Sequence, residues 1–271
     1  MKQIKIKWKN VIALIIFLIS LALLIISITN IIKWKKDTDD TEKQMEKIEE
    51  IVEVEEVESE EVEIIEQEEK PVNYYWDYLD MKLINVDFNE LKKINSDTKG
   101  WVQVNGTSVN YPFVQAKDNK YYLTRTFDKT YNNAGWVFMD YRNNINNLDK
   151  NTILYAHGRM NTTMFGSLKK IFKSGWLNNP DNFVIKLSTE KENTLWQVFS
   201  VYHIPTTNDY IQVKFSSKEE FVNWANMLIN RSFHNFETSV SENDHVITLS
   251  TCYNDTEKAV IHAKLIKKET R

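Results

Sequence analysis

Cys252 is the only cysteine in 271 residues, and it ends the apolar, β-rich run VITLSTC at 246–252. A free thiol in such a place is either a small buried hydrophobe or a nucleophile. As a nucleophile it needs a base within reach and positive charge to favour the thiolate. Five histidines could supply the base: His157, His203, His234, His245 and His262. His157 stands out, because it follows the strand-like run NTILYA and precedes a glycine, where a loop should begin, and loops on a rigid scaffold carry much of catalysis. His203 and His262 sit inside strand-like runs and read as packed or surface-facing. His234 and His245 lie in polar connections and read as surface residues. Metal chemistry is a poor alternative, since no Cys or His pair has zinc-ligand spacing. Among only 6 glycines there is no phosphate-cradling loop, so no cofactor is expected. The N-x-T matches at Asn105 and Asn161 are too short to weigh. A single cysteine also excludes an intrachain disulfide.

The elements that would position these groups are mostly strands. Short β-rich runs recur at GWVQV, SVNYPFV, GWVFMD, NTILYA, NFVIKL, LWQVFSVYHI, HVITLST and KAVIHAKLI. Asn/Asp/Gly clusters separate them, as in a barrel or sandwich. In 195–204, Leu195, Gln197, Phe199 and Val201 alternate with Trp196, Val198, Ser200 and Tyr202. Both faces are bulky, which predicts a central strand covered on both sides. One helix interrupts the strands: Ser216 or Ser217 can cap it, with Glu219 or Glu220 three residues on. Phe221, Trp224, Ala225, Leu228 and Ile229 then form one apolar stripe. Upstream, 76–95 predicts one or two short helices with Phe88, Leu91 and Ile94 on one face.

Charge divides the chain. Residues 1–36 carry +7 and residues 37–70 carry −14, which within a net −4 leaves +3 for the rest. That near-neutral remainder gives no sign of a nucleic-acid partner. Residues 11–32 contain no charge and are long enough to span a bilayer, with Trp8 and Trp34 at the interfacial positions. The apolar run exceeds that of a cleaved signal peptide and is followed by Lys and Trp instead of a cleavage site. The expected organisation is an N-terminus at 1–10, a membrane anchor at 11–32, an acidic spacer at 33–71 and a folded domain at 72–271. Lys2, Lys5, Lys7 and Lys9 against Lys33, Lys35 and Lys36 weakly favour the N-terminus inside. Helical spacing at Met45, Ile48 and Val52, and again at Val62 and Ile65, is too broken to predict a coiled-coil stalk.

TLSTC at 248–252 resembles the active-site strand of a sortase, and ILYAHG at 153–158 resembles the strand and loop that carry the sortase histidine. NSDTKGWVQVNGTSVNYPFVQAKDNKYYL, GWVFMDYRN and MFGSLKK look like class B sortase segments in the order of that class. The helix at about 217–230 is similar to the extra helix that marks it, and the resemblance covers about 75–266. It implies a mainly β fold: an eight-stranded sortase-type β-barrel with N-terminal helices and one inserted helix, preceded by a single transmembrane helix. It also implies a class B cysteine transpeptidase outside the cell, held by a single-pass anchor. Its partners would be secreted proteins bearing a C-terminal sorting motif, a peptidoglycan amine and the membrane. Cys252 would attack the carbonyl of a Thr in the motif, His157 would act as general acid and base, and a thioester would pass the acyl group to the amine. Ser250 and Thr251, flanking the nucleophile, would contact substrate.

The sequence departs from the family at one position. Aligned on VIHAKL, Lys258 stands where the family has an arginine that stabilises the substrate carbonyl. Three readings compete. Lys258 supplies the charge without the bidentate fork; Arg125, Arg142 or Arg159 approaches from another loop; or the domain is impaired and serves as a binding module. A pilin-polymerising sortase is a further alternative to wall anchoring.

Overall fold

A single uncharged segment satisfies its own backbone polar groups away from water when it is helical, and α1 runs unbroken over Trp8–Ile51. The computed structural model describes residues 8–58, 63–64 and 75–271. Two compact units divide the chain, Met1–Lys43 and Gln44–Arg271. In the first, α1 is long and apolar enough to cross a membrane, and its large apolar side chains from Ile12 to Ile32 are exposed. Residues 1–7, 59–62 and 65–74, on which the orientation and stalk readings partly rest, lie outside the described residues.

The second unit begins within the stretch expected to be a free spacer. Ile48 and Val52 are buried there. Strand β1 (Val54–Val57) pairs antiparallel with β3 (Leu83–Val86), and β2 (Glu63–Ile64) pairs with the end of the last strand. Glu56, on β1, reaches Lys186 Nζ at 2.9 Å. Part of the acidic stretch is therefore built into the folded unit. Val54 and Val57, at the two ends of β1, pack against the core while Glu55 and Glu56 between them are exposed, a pattern hidden inside a run of like charge. Short helices α2 (Tyr75–Leu79) and α3 (Asn89–Ile94) flank β3. Phe88 and Leu91 are buried as expected, whereas Ile94 is exposed.

All eight apolar runs become strands: β4 (Thr98–Val104), β5 (Asn110–Val114), β6 (Phe138–Met139), β7 (Asn151–Tyr155), β8 (Val184–Ser188), β9 (Glu192–Pro205), β10 (Val246–Cys252) and β11 (Glu257–Thr270). Their order is β10-β7-β6-β5-β4-β8-β9-β11, and β10 pairs again with β11. The sheet thus closes into an eight-stranded barrel, which removes its free edges. Two pairs, β5–β6 and β7–β10, are parallel. The interior is packed with Trp101, Phe113, Trp136, Leu154, Trp196, Val201, Leu249 and Ile261, among others.

A short helix, α4 (Ser174–Leu177), lies in the β7–β8 connection, and α5 (Lys218–Arg231) lies between β9 and β10. Ser217 caps α5, its Oγ accepting from the Glu220 N–H. Phe221, Trp224, Ala225 and Leu228 bury the predicted stripe against Phe199, Tyr202, Val246 and Val260 on the barrel's outer face. This cover explains why β9 is apolar on both sides. Its alternation is not continuous, however. Ser200 pairs with His262 and Val198 with Ala263, so Phe199 is an extra, bulged residue, and a bulge turns the side chains beyond it to the other face. Val198 and Val201 consequently share the barrel interior, while Phe199 and Tyr202 face α5.

Candidate active site

Cys252 closes β10, is partly exposed, and is not a core thiol. Its position follows from two neighbours. On one side β7 runs parallel, with Ser250 opposite Tyr155, and the Thr251 hydroxyl donates to the Ala156 carbonyl at 2.8 Å. The residue after Ala156 is His157, so the two strand ends deliver thiol and imidazole to the same rim. Gly158 makes the approach possible. A Cβ there would lie 2.2 Å from the Cys252 carbonyl oxygen and 3.0 Å from Thr251 Oγ1. No side chain fits without moving the backbone.

His157 Nε2 lies 2.8 Å from the Leu123 carbonyl. A carbonyl only accepts, so Nε2 carries a proton and Nδ1 is the nitrogen left to exchange one. The loop after it is folded back tightly: the Phe165 N–H donates to the His157 carbonyl, and Gly158 bridges Met164.

On the other side of Cys252, β11 runs antiparallel and places Lys258 directly opposite. Lys258 Nζ donates to Cys252 Sγ at 3.1 Å. The alternative arginines are placed differently. Arg142 Nε and Nη2 grip the buried Asp140 at 2.8 Å, and Nη2 also donates to the Ile211 carbonyl. Arg125 is stacked against tyrosine rings. Arg159 follows Gly158 in the His157 loop, with its carbonyl accepting from the Thr162 N–H.

Ser250 and Thr251, expected to meet substrate, are both buried with their hydroxyls engaged inside the fold: Thr251 on Ala156 and Ser250 with the Tyr210 hydroxyl at 3.0 Å. Tyr210 escaped the sequence reading. Burial raises its phenol above the ordinary value, with the Ser250 hydrogen bond opposing the rise and Asp209 adding to it. Only an aromatic in a polar connection marked it.

The remaining histidines divide by surroundings. His203 Nδ1 meets Glu257 Oε1 at 3.0 Å, and its ring stacks on Tyr253 at 4.3 Å. This holds Glu257 below the ordinary carboxylate range, together with Asn254. His234 packs on Phe183 and Phe236. His245 is not a surface residue: it is partly buried, with Nδ1 3.2 Å from the Asp149 carbonyl, and burial lowers its pKa.

His262 is fully buried. Thr248 Oγ1 lies 2.7 Å from Asn151 Oδ1 and donates to it, so it accepts from His262 Nδ1 at 2.8 Å, and the Tyr202 hydroxyl donates to Nε2 at 2.9 Å. Asn151 Nδ2 in turn donates to the Tyr210 and Gln212 carbonyls, so the neutral imidazole anchors the segment that carries Tyr210. Burial, with a contribution from Arg231, pushes its pKa from 6.5 to about 3. The native state therefore keeps His262 neutral, while the unfolded chain binds a proton below about pH 6.5. Stability contributed by the neutral ring is complete above that pH and is lost as pH falls toward 3. By pH 4.5 the loss is roughly 3 kcal/mol at about 1.4 kcal/mol per pKa unit. Denaturant unfolding at pH 7.5 and pH 4.5 checks this. His262→Gln should start lower but lose less between the two, and an identical loss in both proteins would remove His262 as the cause.

The family model for the sortase domain matches residues 102–266. Sortase B of Staphylococcus aureus is 35% identical over 188 residues, covering 68% of this chain and 76% of that protein. The crystal structure of sortase B from Bacillus anthracis is 37% identical, with a TM-score of 0.62 over 66% of this chain and 84% of that one. A Staphylococcus aureus sortase B–substrate complex is 35% identical, with a TM-score of 0.62 over 66% and 84%. The barrel, the inserted α5 and the Cys252 rim thus have one explanation: the chain belongs to the sortase family, with class B sortases as its relatives.

Proposed function

We infer that this sortase is a class B-type transpeptidase in which Cys252, His157 and Lys258 carry the reaction. The observation that supports the reading most is Lys258 Nζ at 3.1 Å from Cys252 Sγ, on the strand opposite the one that aligns His157. The Cys252 thiolate attacks the carbonyl carbon of a Thr in a sorting peptide, and the carbonyl electrons move onto oxygen. Lys258 stabilises that oxyanion as it forms. His157, having taken the thiol proton on Nδ1, gives it to the departing amide nitrogen, the C–N bond breaks, and an acyl thioester remains on Cys252. An incoming amine then attacks the thioester, His157 takes its proton, and the thiolate leaves as the new amide forms. Ser250 and Thr251 act by fixing Cys252 between Tyr210 and Ala156 rather than by touching substrate.

The S. aureus sortase B–substrate complex, a relative with this fold, supports a substrate site on this chain. A peptidoglycan amine would be the acceptor, and secreted proteins with a C-terminal sorting motif the cargo. The long apolar α1 is the anchor, with the N-terminus inside and residues 72–271 outside. The test is a transfer assay on the full chain in detergent, with a sorting-type peptide and an amine. A new amide between acyl fragment and amine should form, and Cys252→Ala and His157→Ala should each lose it. Binding of the peptide without cleavage would favour the impaired binding module instead. His157→Ala should lower the rate by about 10²–10⁴-fold, the range for a positioned acid–base group, and a fall under threefold would remove it from the mechanism.

A further inference from the structure

The guanidinium of Arg125 is held between two exposed tyrosines. Its Cζ lies 5.6 Å from the Tyr121 ring centroid and 5.2 Å from that of Tyr131, and an antiparallel bridge joins Arg125 to Tyr131. Tyr121 is 40% and Tyr131 63% exposed. Arg125 Nη1 donates to the Thr124 carbonyl and hydroxyl. Among the described residues no carboxylate pairs with Arg125, in contrast to Arg142 with Asp140 and Arg231 with Asp209. The acids of the neighbourhood have other partners. Asp128 accepts from Thr126 and Thr130, and Asp97 accepts from Tyr122 and meets Lys129. The loop is braced from beneath by Gln44, which accepts the Phe127 N–H at 2.8 Å.

A guanidinium is built to meet a planar anion with two N–H groups. Here aromatic faces fix the cation, Nη1 holds the carbonyl and hydroxyl of Thr124, and the residue is half-buried. The location gives the anion a context. Leu123, two residues before Arg125, provides the carbonyl that holds His157. Lys258 approaches Cys252 from β11 instead. An acceptor peptide that brings its amine to His157 therefore meets a base held by the segment that carries Arg125. We propose that Arg125, clamped by Tyr121 and Tyr131, docks a carboxylate of the peptide amine acceptor. This rests on the transpeptidase reading above.

The test uses the full chain in detergent, acylated with a sorting-type peptide, and two acceptors that differ only in charge: triglycine and triglycinamide. KM for the amide should exceed that for the free carboxylate by about tenfold, the scale of one charge-assisted pair. In Arg125→Gln the ratio should fall to near one. In Arg125→Lys, which keeps charge but not the stacked fork, it should lie between. Tyr131→Ala should lower it as well. Equal KM values for the two acceptors in the wild type, or an unchanged ratio in Arg125→Gln, would overturn the site. These failures are separable from failure of the underlying reading. A thioester that forms with no carboxylate preference removes only the acceptor site. Absence of any thioester on Cys252 removes the transpeptidase reading and the site with it.

Discussion

Replacing Lys258 by methionine is expected to slow thioester formation by about 10²–10³-fold, the usual cost of removing one donor aimed at a developing oxyanion. Methionine keeps much of the aliphatic stem, so packing beside the buried Ala259 should survive. What is lost is the charge at 3.1 Å from the thiol. Lys258→Arg restores a cation and donors, with a different reach and a planar head, and should stay within about tenfold of the wild type on the scale where 1.4 kcal/mol is a factor of ten. Single-turnover acylation, followed by quenched-flow mass analysis, separates the two variants. A Lys258→Met rate within threefold of wild type would contradict the role. Arg142 would not be a ready substitute, because its guanidinium is held on Asp140.

Gly158→Ala should be nearly as damaging, for a different reason. The added Cβ would lie 2.2 Å from the Cys252 carbonyl, which is backbone and has no rotamer to yield. The loop carrying His157 must therefore move away from β10. A misplacement near 1 Å costs about 10²-fold where catalytic groups must meet, and overpacking costs about 1–3 kcal/mol of stability. The expected outcome is a large loss of acylation in a protein that still folds cooperatively, read by steady-state kinetics beside thermal unfolding. Near-normal acylation would show that the His157 loop is not held at its distance by this contact.

These two predictions draw on different layers of the sequence. Strand existence was legible because each barrel strand is a short apolar run bounded by turn residues, and all eight runs became β4 to β11. The stripe from Phe221 to Leu228 was legible because helical period and capping agreed. The bulge at Phe199 was not, since an inserted residue alters pairing without altering the apolar character of the run. β1 was hidden because its glutamates dominate a charged stretch, although Val54 and Val57 pack against the core.

At the site, Cys252 and His157 could be singled out from residue type and position at strand ends. Lys258 became a candidate only through resemblance, and its contact with Cys252 depends on a strand register that no local pattern encodes. Ser250 and Thr251 looked available in sequence, yet as consecutive strand residues they face opposite sides, and each side is covered, by Tyr210 and by Ala156. Tyr210 and the Leu123 carbonyl belong to connections whose path is set by tertiary packing, including the buried His262–Thr248–Asn151 chain.

Covalent acylation of Cys252 is open to intact-mass measurement. The full chain in detergent would be mixed with a sorting-type peptide, quenched in acid, and mapped by proteolysis. The expected result is a mass increase equal to the peptide fragment ending in Thr less one water, located on Cys252, sensitive to hydroxylamine and absent in Cys252→Ala. Peptide cleavage without an adduct on Cys252, or an adduct that persists in Cys252→Ala, would contradict it.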